Sequence, residues 1–203
     1  MSTTQKTHKI TVTAMLAAVA TVLMILEFPI PFLIPPFIKM DFSELPALLA
    51  TFSLGPVSGV AVCFIKNAIH LLQTSTNGVG ELCNFLLGCC FVIPAGLLYG
   101  KSKSRKGALL GATAGAVVMG IVSIPINLFI TYPVYLQVMT PPDRTIQDTL
   151  NSIITMYQTL IPSVDGLLTC LVVFNAPFTL LKAALDTVMA FLIYKPLSPL
   201  LHK

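Results

Sequence analysis

Charge is scarce in this chain. Only 10% of its 203 residues are charged, against about 25% in a soluble domain. With 55% apolar residues and a mean hydropathy of +0.87, that scarcity excludes an ordinary soluble fold. No polar segment is long enough to fold by itself, so residues 1–203 read as a single integral membrane domain. The net charge of +4 is no nucleic-acid signature, because the basic residues are grouped in a way that membrane topology explains. Cysteine is also sparse. Cys63, Cys83, Cys89, Cys90 and Cys170 form an odd set inside apolar runs without CxxC spacing. This argues against a disulfide or zinc framework and for small buried hydrophobes. No HExxH, no G-x-S-x-G and no paired intramembrane His/Asp site is present, so nothing supports an enzyme, a metal or a cofactor. Ala95–Ser102, AGLLYGKS, is like the end of a nucleotide-binding loop, but Ala95 stands where the first glycine belongs. It also follows a membrane helix rather than a strand, so no ATP site is expected.

The most distinctive stretch is Phe28–Pro46, FPIPFLIPPFIKMDFSELP, with five prolines and the charged residues Lys39, Asp41 and Glu44 between two apolar runs. Proline removes a backbone donor and blocks regular structure. The stretch is therefore expected to be an ordered, constrained loop at a membrane face, with a helix starting behind it. Ser43 is the expected cap of that helix, with Glu44 at its positive end. Before the loop, Ile10–Phe28 is long enough to cross a hydrocarbon core of ~30 Å. It lacks a small-residue cleavage site and is expected to be a retained span. Ala14 and Ala18 give it a small-residue face that serves either internal packing or docking of a partner protein.

Phe42–Leu54, Pro56–Leu72 and Gly80–Tyr99 follow. Lys6 and Lys9 at one end and Lys101, Lys103, Arg105 and Lys106 at the other belong on the cytoplasmic side by the positive-inside rule. An even number of crossings must separate them, which makes the short Phe42–Leu54 a crossing. Gly107–Met139 is too long for one span and too short for two. Gly107, Gly111 and Gly115 favour close packing, and Pro125 and Pro133 are expected to kink its outer half. Thr140–Leu150 reads as an outer connection, Asn151–Leu160 as a short interfacial helix and Leu167–Tyr194 as the last crossing, closed by Lys195 and Lys203. The expectation is an all-α protein with six transmembrane helices, an extracellular lid loop between helices 1 and 2, and both termini cytoplasmic.

An ionised side chain deep in a bilayer costs at least ~2.5–3.5 kcal/mol, so each needs a partner or a role. Lys182, Asn127, Glu81 and Asn84, on separate spans, fall at one depth on the outer side, beneath Lys39, Met40, Asp41 and Phe42. That pattern suggests a polar-lined pocket. Other readings compete: Lys182 and Asp186, spaced i, i+4, can neutralise each other, and Asn84 and Asn127 can join helices by hydrogen bonds. Lys66 and His70 share a helix face and read as packing and pairing groups.

Phe37–Leu49 (FIKMDFSELPALL), Gly55-Pro56 with Ile65-Lys66-Asn67 and His70, Gly80–Phe85 (GELCNF), Asn127 ahead of Pro133-Val134-Tyr135, and Pro177–Lys182 (PFTLLK) resemble the riboflavin-binding S components. These are the substrate-capturing subunits of bacterial energy-coupling factor vitamin transporters. The resemblance runs in order over nearly the whole chain. It implies a six-helix fold in a bacterial cell membrane, with a site covered by the loop between spans 1 and 2. It implies flavin rings held by Asn127 and Lys182, with Thr179 standing where the family has asparagine and Ala183 where it has glycine. Ala14 and Ala18 match the family's docking motif for a transmembrane coupling subunit, which works with two ATPase subunits. Riboflavin is the implied ligand, with flavin mononucleotide as a second candidate. A different vitamin (thiamine, a folate or a nicotinate-like compound) and a purely structural membrane protein are the competing readings.

Overall fold

The computed structural model describes residues 3–201, with side chains through residue 193. Lys203 and His202, and the side chain of Lys195, lie outside the described residues. Helix α1 (Thr3–Ile25) turns Val12, Ala17, Ala20, Thr21 and Met24 inward. Ile10, Met15, Val19 and Val22 face outward. The proline-rich loop is not free of regular structure. Its two ends pair antiparallel, β1 (Phe28–Pro29) with β2 (Lys39–Met40), in the register Phe28↔Met40 and Pro29↔Lys39. Prolines tolerate this because a two-strand ladder has an unpaired edge on each side.

Helix α2 (Glu44–Leu54) is buried from Glu44 to Phe52 and packs against α1, α3 (Pro56–His70), α4 (Val79–Lys101) and α9 (Ala176–Leu201). Its end is set by Gly55, whose φ of +101° suits a residue without Cβ. Pro56 then opens α3 with a ring already shaped for a first helical residue. Among the described residues, four helical stretches are long and apolar enough to cross a membrane: Thr3–Ile25, Val79–Lys101, Arg105–Met139 and Leu167–Ile193. The expected six rest on α2 and α3 as well, which have 11 and 15 residues. At ~1.5 Å per residue α2 measures only ~16 Å. A helix surrounded by other helices does not meet lipid along its length, so membrane thickness does not set its length.

The segment expected to be too long for one span is one continuous helical path. Helix α5 (Arg105–Ile126) passes through a π-helical turn, Asn127–Thr131, into α6 (Tyr132–Met139). The widened turn falls between Pro125 and Pro133, each of which lacks the N–H that an α-helix needs. The last segment repeats the device: α8 (Leu167–Cys170) reaches α9 through a π turn at Leu171–Asn175, just ahead of Pro177. The expected short helix at Asn151–Leu160 begins earlier, as α7 (Ile146–Gln158). Thr145 and Asp148 form a reciprocal capping box there, which satisfies two backbone donors and starts the helix inside the segment read as a connection. Where α4 meets α5, a Cβ on Gly115 would lie 2.3 Å from the Phe91 carbonyl oxygen, and one on Gly111 2.6 Å from that of Ala95. The glycines permit this close approach.

Candidate functional site

Two buried ion pairs fix the inner end of the proline-rich loop. The Lys66 ammonium on α3 sits 2.6 Å from Glu44 Oε1 and 2.6 Å from Ser43 Oγ. Lys66 and Glu44 are both fully buried. Ser43 is therefore not the side-chain cap expected of it: it has helical φ and ψ and no capping bond. Its hydroxyl donates to Asp41 and accepts from Lys66. Gly88 on α4 makes room for the pair, since a Cβ there would lie 2.9 Å from Glu44 Oε2. In the second pair, Lys182 on α9 donates to Asp41 Oδ2 at 2.7 Å. The alternative i, i+4 partner, Asp186, is fully buried, and neither of its carboxyl oxygens has a hydrogen-bond partner among the described residues. Lys182 is thus tied to the loop rather than along its own helix.

A third polar group lies where α1, α3, α4 and the loop meet. Lys39 donates to Glu27, and His70 Nδ1 lies 2.9 Å from Glu81 Oε1. Thr74 and Thr76 donate to Glu81 Oε2 at 2.9 and 3.4 Å. This occupies Glu81 with partners from the α3–α4 connection.

The Lys182–Asp41 pair and the Lys39–Glu27 and His70–Glu81 contacts border a cavity of about 190 Å³. Of the nine binding residues expected from the sequence, Lys39, Asp41, Glu81, Asn84, Asn127, Thr179 and Lys182 line it. Met40 and Phe42 do not: Met40 is 2% exposed, packed in the buried cluster of Tyr132, Tyr157 and Phe174, and Phe42 is half-buried. Lys39 and Met40 are neighbours in β2, and strand alternation turns them to opposite faces, which keeps Met40 off the wall that Lys39 lines. Asn127 spends its amide N–H on the Ser123 carbonyl at 2.7 Å and accepts from the Cys83 thiol at 3.5 Å. Ala14 and Ala18 are exposed, while Ala17 and Ala20 carry the internal packing.

Sequence reading missed several lining groups: Met24, Glu27, His70, Tyr132, Tyr135 and Asn175. His70 and Tyr135 stood inside quoted motifs without a role. Asn175, Phe178, Thr179 and Lys182 follow i, i+3, i+4, i+7 spacing, which puts them on one helix face, and that signal reaches Asn175 from Lys182. Aromatic rings close the cavity on the loop side, with Phe37 stacked on Tyr135 at 6.3 Å and edge-on to Tyr157 at 6.2 Å. The lining thus combines flat apolar surface with an ammonium, amides and carboxylates, a set suited to a planar, polar-edged ligand.

Comparison with known proteins agrees with this chemistry. The family described as ECF transporter, substrate-specific component, matches residues 8–194. The riboflavin transporter RibU of Staphylococcus aureus is 33% identical over 98% of this chain and 95% of its own length. The riboflavin transporter FmnP of Bacillus subtilis is 33% identical over 96% and 94%. A solved S component of a bacterial ECF transporter superposes with a TM-score of 0.72 at 30% identity, covering 98% of this chain and 99% of that one. The chain therefore belongs to the substrate-specific components of ECF transporters, membrane proteins of transport rather than enzymes.

Proposed function

We propose that this chain binds riboflavin in the cavity beneath the proline-rich loop and delivers it to an energy-coupling module. The observation that carries the reading is the Lys182–Asp41 bond of 2.7 Å at the cavity wall, which joins the last helix to the loop. A ligand carbonyl that accepts a hydrogen bond from Lys182 works directly on the loop, so binding and loop position are linked. Asn127 and Lys182 hold the carbonyl edge of the flavin ring, with Thr179 beside them. Phe37, Tyr135 and the other aromatics pack on its faces. Lys39, Asp41, Glu81 and Asn84 complete the polar wall, and Met40 and Phe42 brace the loop from behind. The names of the relatives, riboflavin transporters at 33% identity, support the same ligand.

In this reading the loop between α1 and α2 is a lid on the outer face. Helices α2 and α3 complete six spans, and both termini are cytoplasmic. The exposed Ala14 and Ala18 dock on a transmembrane coupling subunit that is driven by two ATPase subunits. The test is direct. Protein purified from riboflavin-replete cells is expected to be yellow, and ligand-free protein to quench added riboflavin fluorescence. A colourless protein that quenches nothing overturns the proposal. A parallel titration with flavin mononucleotide decides whether a phosphate is accepted beside Glu27 and Glu81.

A further inference from the structure

Apart from the ion pairs, the structure holds a buried hydrogen-bonded row of three side chains. The Tyr132 and Tyr157 hydroxyls are 2.7 Å apart, and the Tyr157 hydroxyl donates to Asn175 Oδ1 at 2.7 Å. Tyr132 and Asn175, the two ends, line the cavity, while Tyr157, the middle, does not and is completely buried. Both ends sit at the edges of the π turns. Tyr132 is the first residue after Asn127–Thr131, and Asn175 is the last residue of Leu171–Asn175. Tyr157 comes from α7, which contributes no residue to the cavity wall. Phe174 packs on its ring at 5.2 Å, and Phe37 of the loop meets it edge-on.

Counting protons assigns the ends. Tyr157 has one proton and gives it to Asn175, so the bond between the tyrosines uses the proton of Tyr132. Tyr132 then faces the cavity with lone pairs only, and Asn175 keeps its NH2 group. Turning the amide over reverses each bond and exchanges the two roles. Either way the wall offers one acceptor and one donor side by side. A ligand hydroxyl, which donates once and accepts as well, satisfies both; a carbonyl or an ammonium satisfies only one.

We infer that Tyr132 and Asn175 read a hydroxyl on the ligand's side chain, and that Tyr157 is the positioning residue that sets their hydrogen-bonding sense. This rests on the riboflavin reading, in which Asn127 and Lys182 take the ring's carbonyl edge. Asn175 lies seven residues before Lys182, ~10 Å along the helix. That distance is too far to share the carbonyl edge, which leaves Tyr132 and Asn175 for another part of the ligand, and the polyol chain is the part of riboflavin that carries hydroxyls.

The experiment compares riboflavin with lumiflavin, which keeps the ring and replaces the polyol chain by a methyl group. Affinities are measured by competition on the full chain in detergent. Tyr157→Phe keeps the ring that packs on Phe37 and Phe174 and removes only the hydroxyl. Its riboflavin affinity is expected to fall roughly tenfold, a hydrogen-bond-sized loss, while its lumiflavin affinity stays within twofold. Should Tyr157→Phe not fold, Tyr132→Phe is expected to give the same selective loss. An equal loss for both flavins, or no loss, overturns the inference and leaves the riboflavin assignment standing. Failure of the unmodified chain to bind riboflavin overturns the assignment itself, and this inference with it.

Discussion

Asp41 and Asp186 stand within reach of one ammonium, and their surroundings decide which holds it. Asp41 follows β2 at the cavity wall and bonds Lys182 at 2.7 Å, whereas both oxygens of Asp186 lack hydrogen-bond partners among the described residues. Asp41→Asn is expected to lower stability by about 3–5 kcal/mol, because it leaves a buried ammonium without its carboxylate. Asp186→Asn should leave the melting temperature nearly unchanged. Thermal unfolding in detergent separates the two. Lys182→Ala and Asn127→Ala should each weaken riboflavin binding tenfold or more in a fluorescence titration while the protein stays folded. Unchanged affinity in both would return these residues to structural pairing. The sequence offered Asp186 as an alternative partner for Lys182 because only their spacing is visible there. Asp41 is 141 residues away, a distance that no local pattern spans.

At the scale of elements, close approach and capping set the helices. Gly115→Val would push a side chain into the Phe91 carbonyl, 2.3 Å from the new Cβ. It should force α4 and α5 apart and cost about 1–3 kcal/mol of stability, read by thermal unfolding. At the start of α7, the Asp148 carboxyl is held below the usual carboxylate range by hydrogen bonds from the Thr145 hydroxyl and backbone N–H. A depressed carboxylate stabilises the folded form above its unfolded value and loses that contribution as pH falls through the folded one. Protection of the first-turn amides of α7, measured against intrinsic exchange at each pH, should therefore fall only below about pH 4, and in Thr145→Ala it should already be low at neutral pH. The glycine ladder was readable as a packing signal because glycine is the one residue that permits such contact. The π turns were not. Proline marks where an α-helix must give way, but the choice between a kink and a widened turn depends on what packs around it.

For the whole molecule, the outward Ala14 and Ala18 contrast with the inward Ala17 and Ala20 of the same helix. Ala18→Leu should leave riboflavin affinity unchanged while reducing recovery of the coupling subunit in co-purification. Loss of binding instead would mean that the face supports the fold of the cavity.

Composition and the spacing of apolar runs by themselves determined that this is a helical membrane protein. Scarce charge and long apolar stretches admit no other economical fold, and the ordered motifs carried the family. Seven of the nine expected site residues meet at one cavity, because polar groups in spans are rare enough to single out. What only the tertiary structure decided is how those groups are spent. It joined Lys182 to the loop, occupied Glu81 with threonines and a histidine, buried α2 inside the bundle, and brought Tyr157 from α7 behind Tyr132 and Asn175. Those outcomes depend on distances between residues far apart in the chain, and hydrogen-bond partners are chosen by distance.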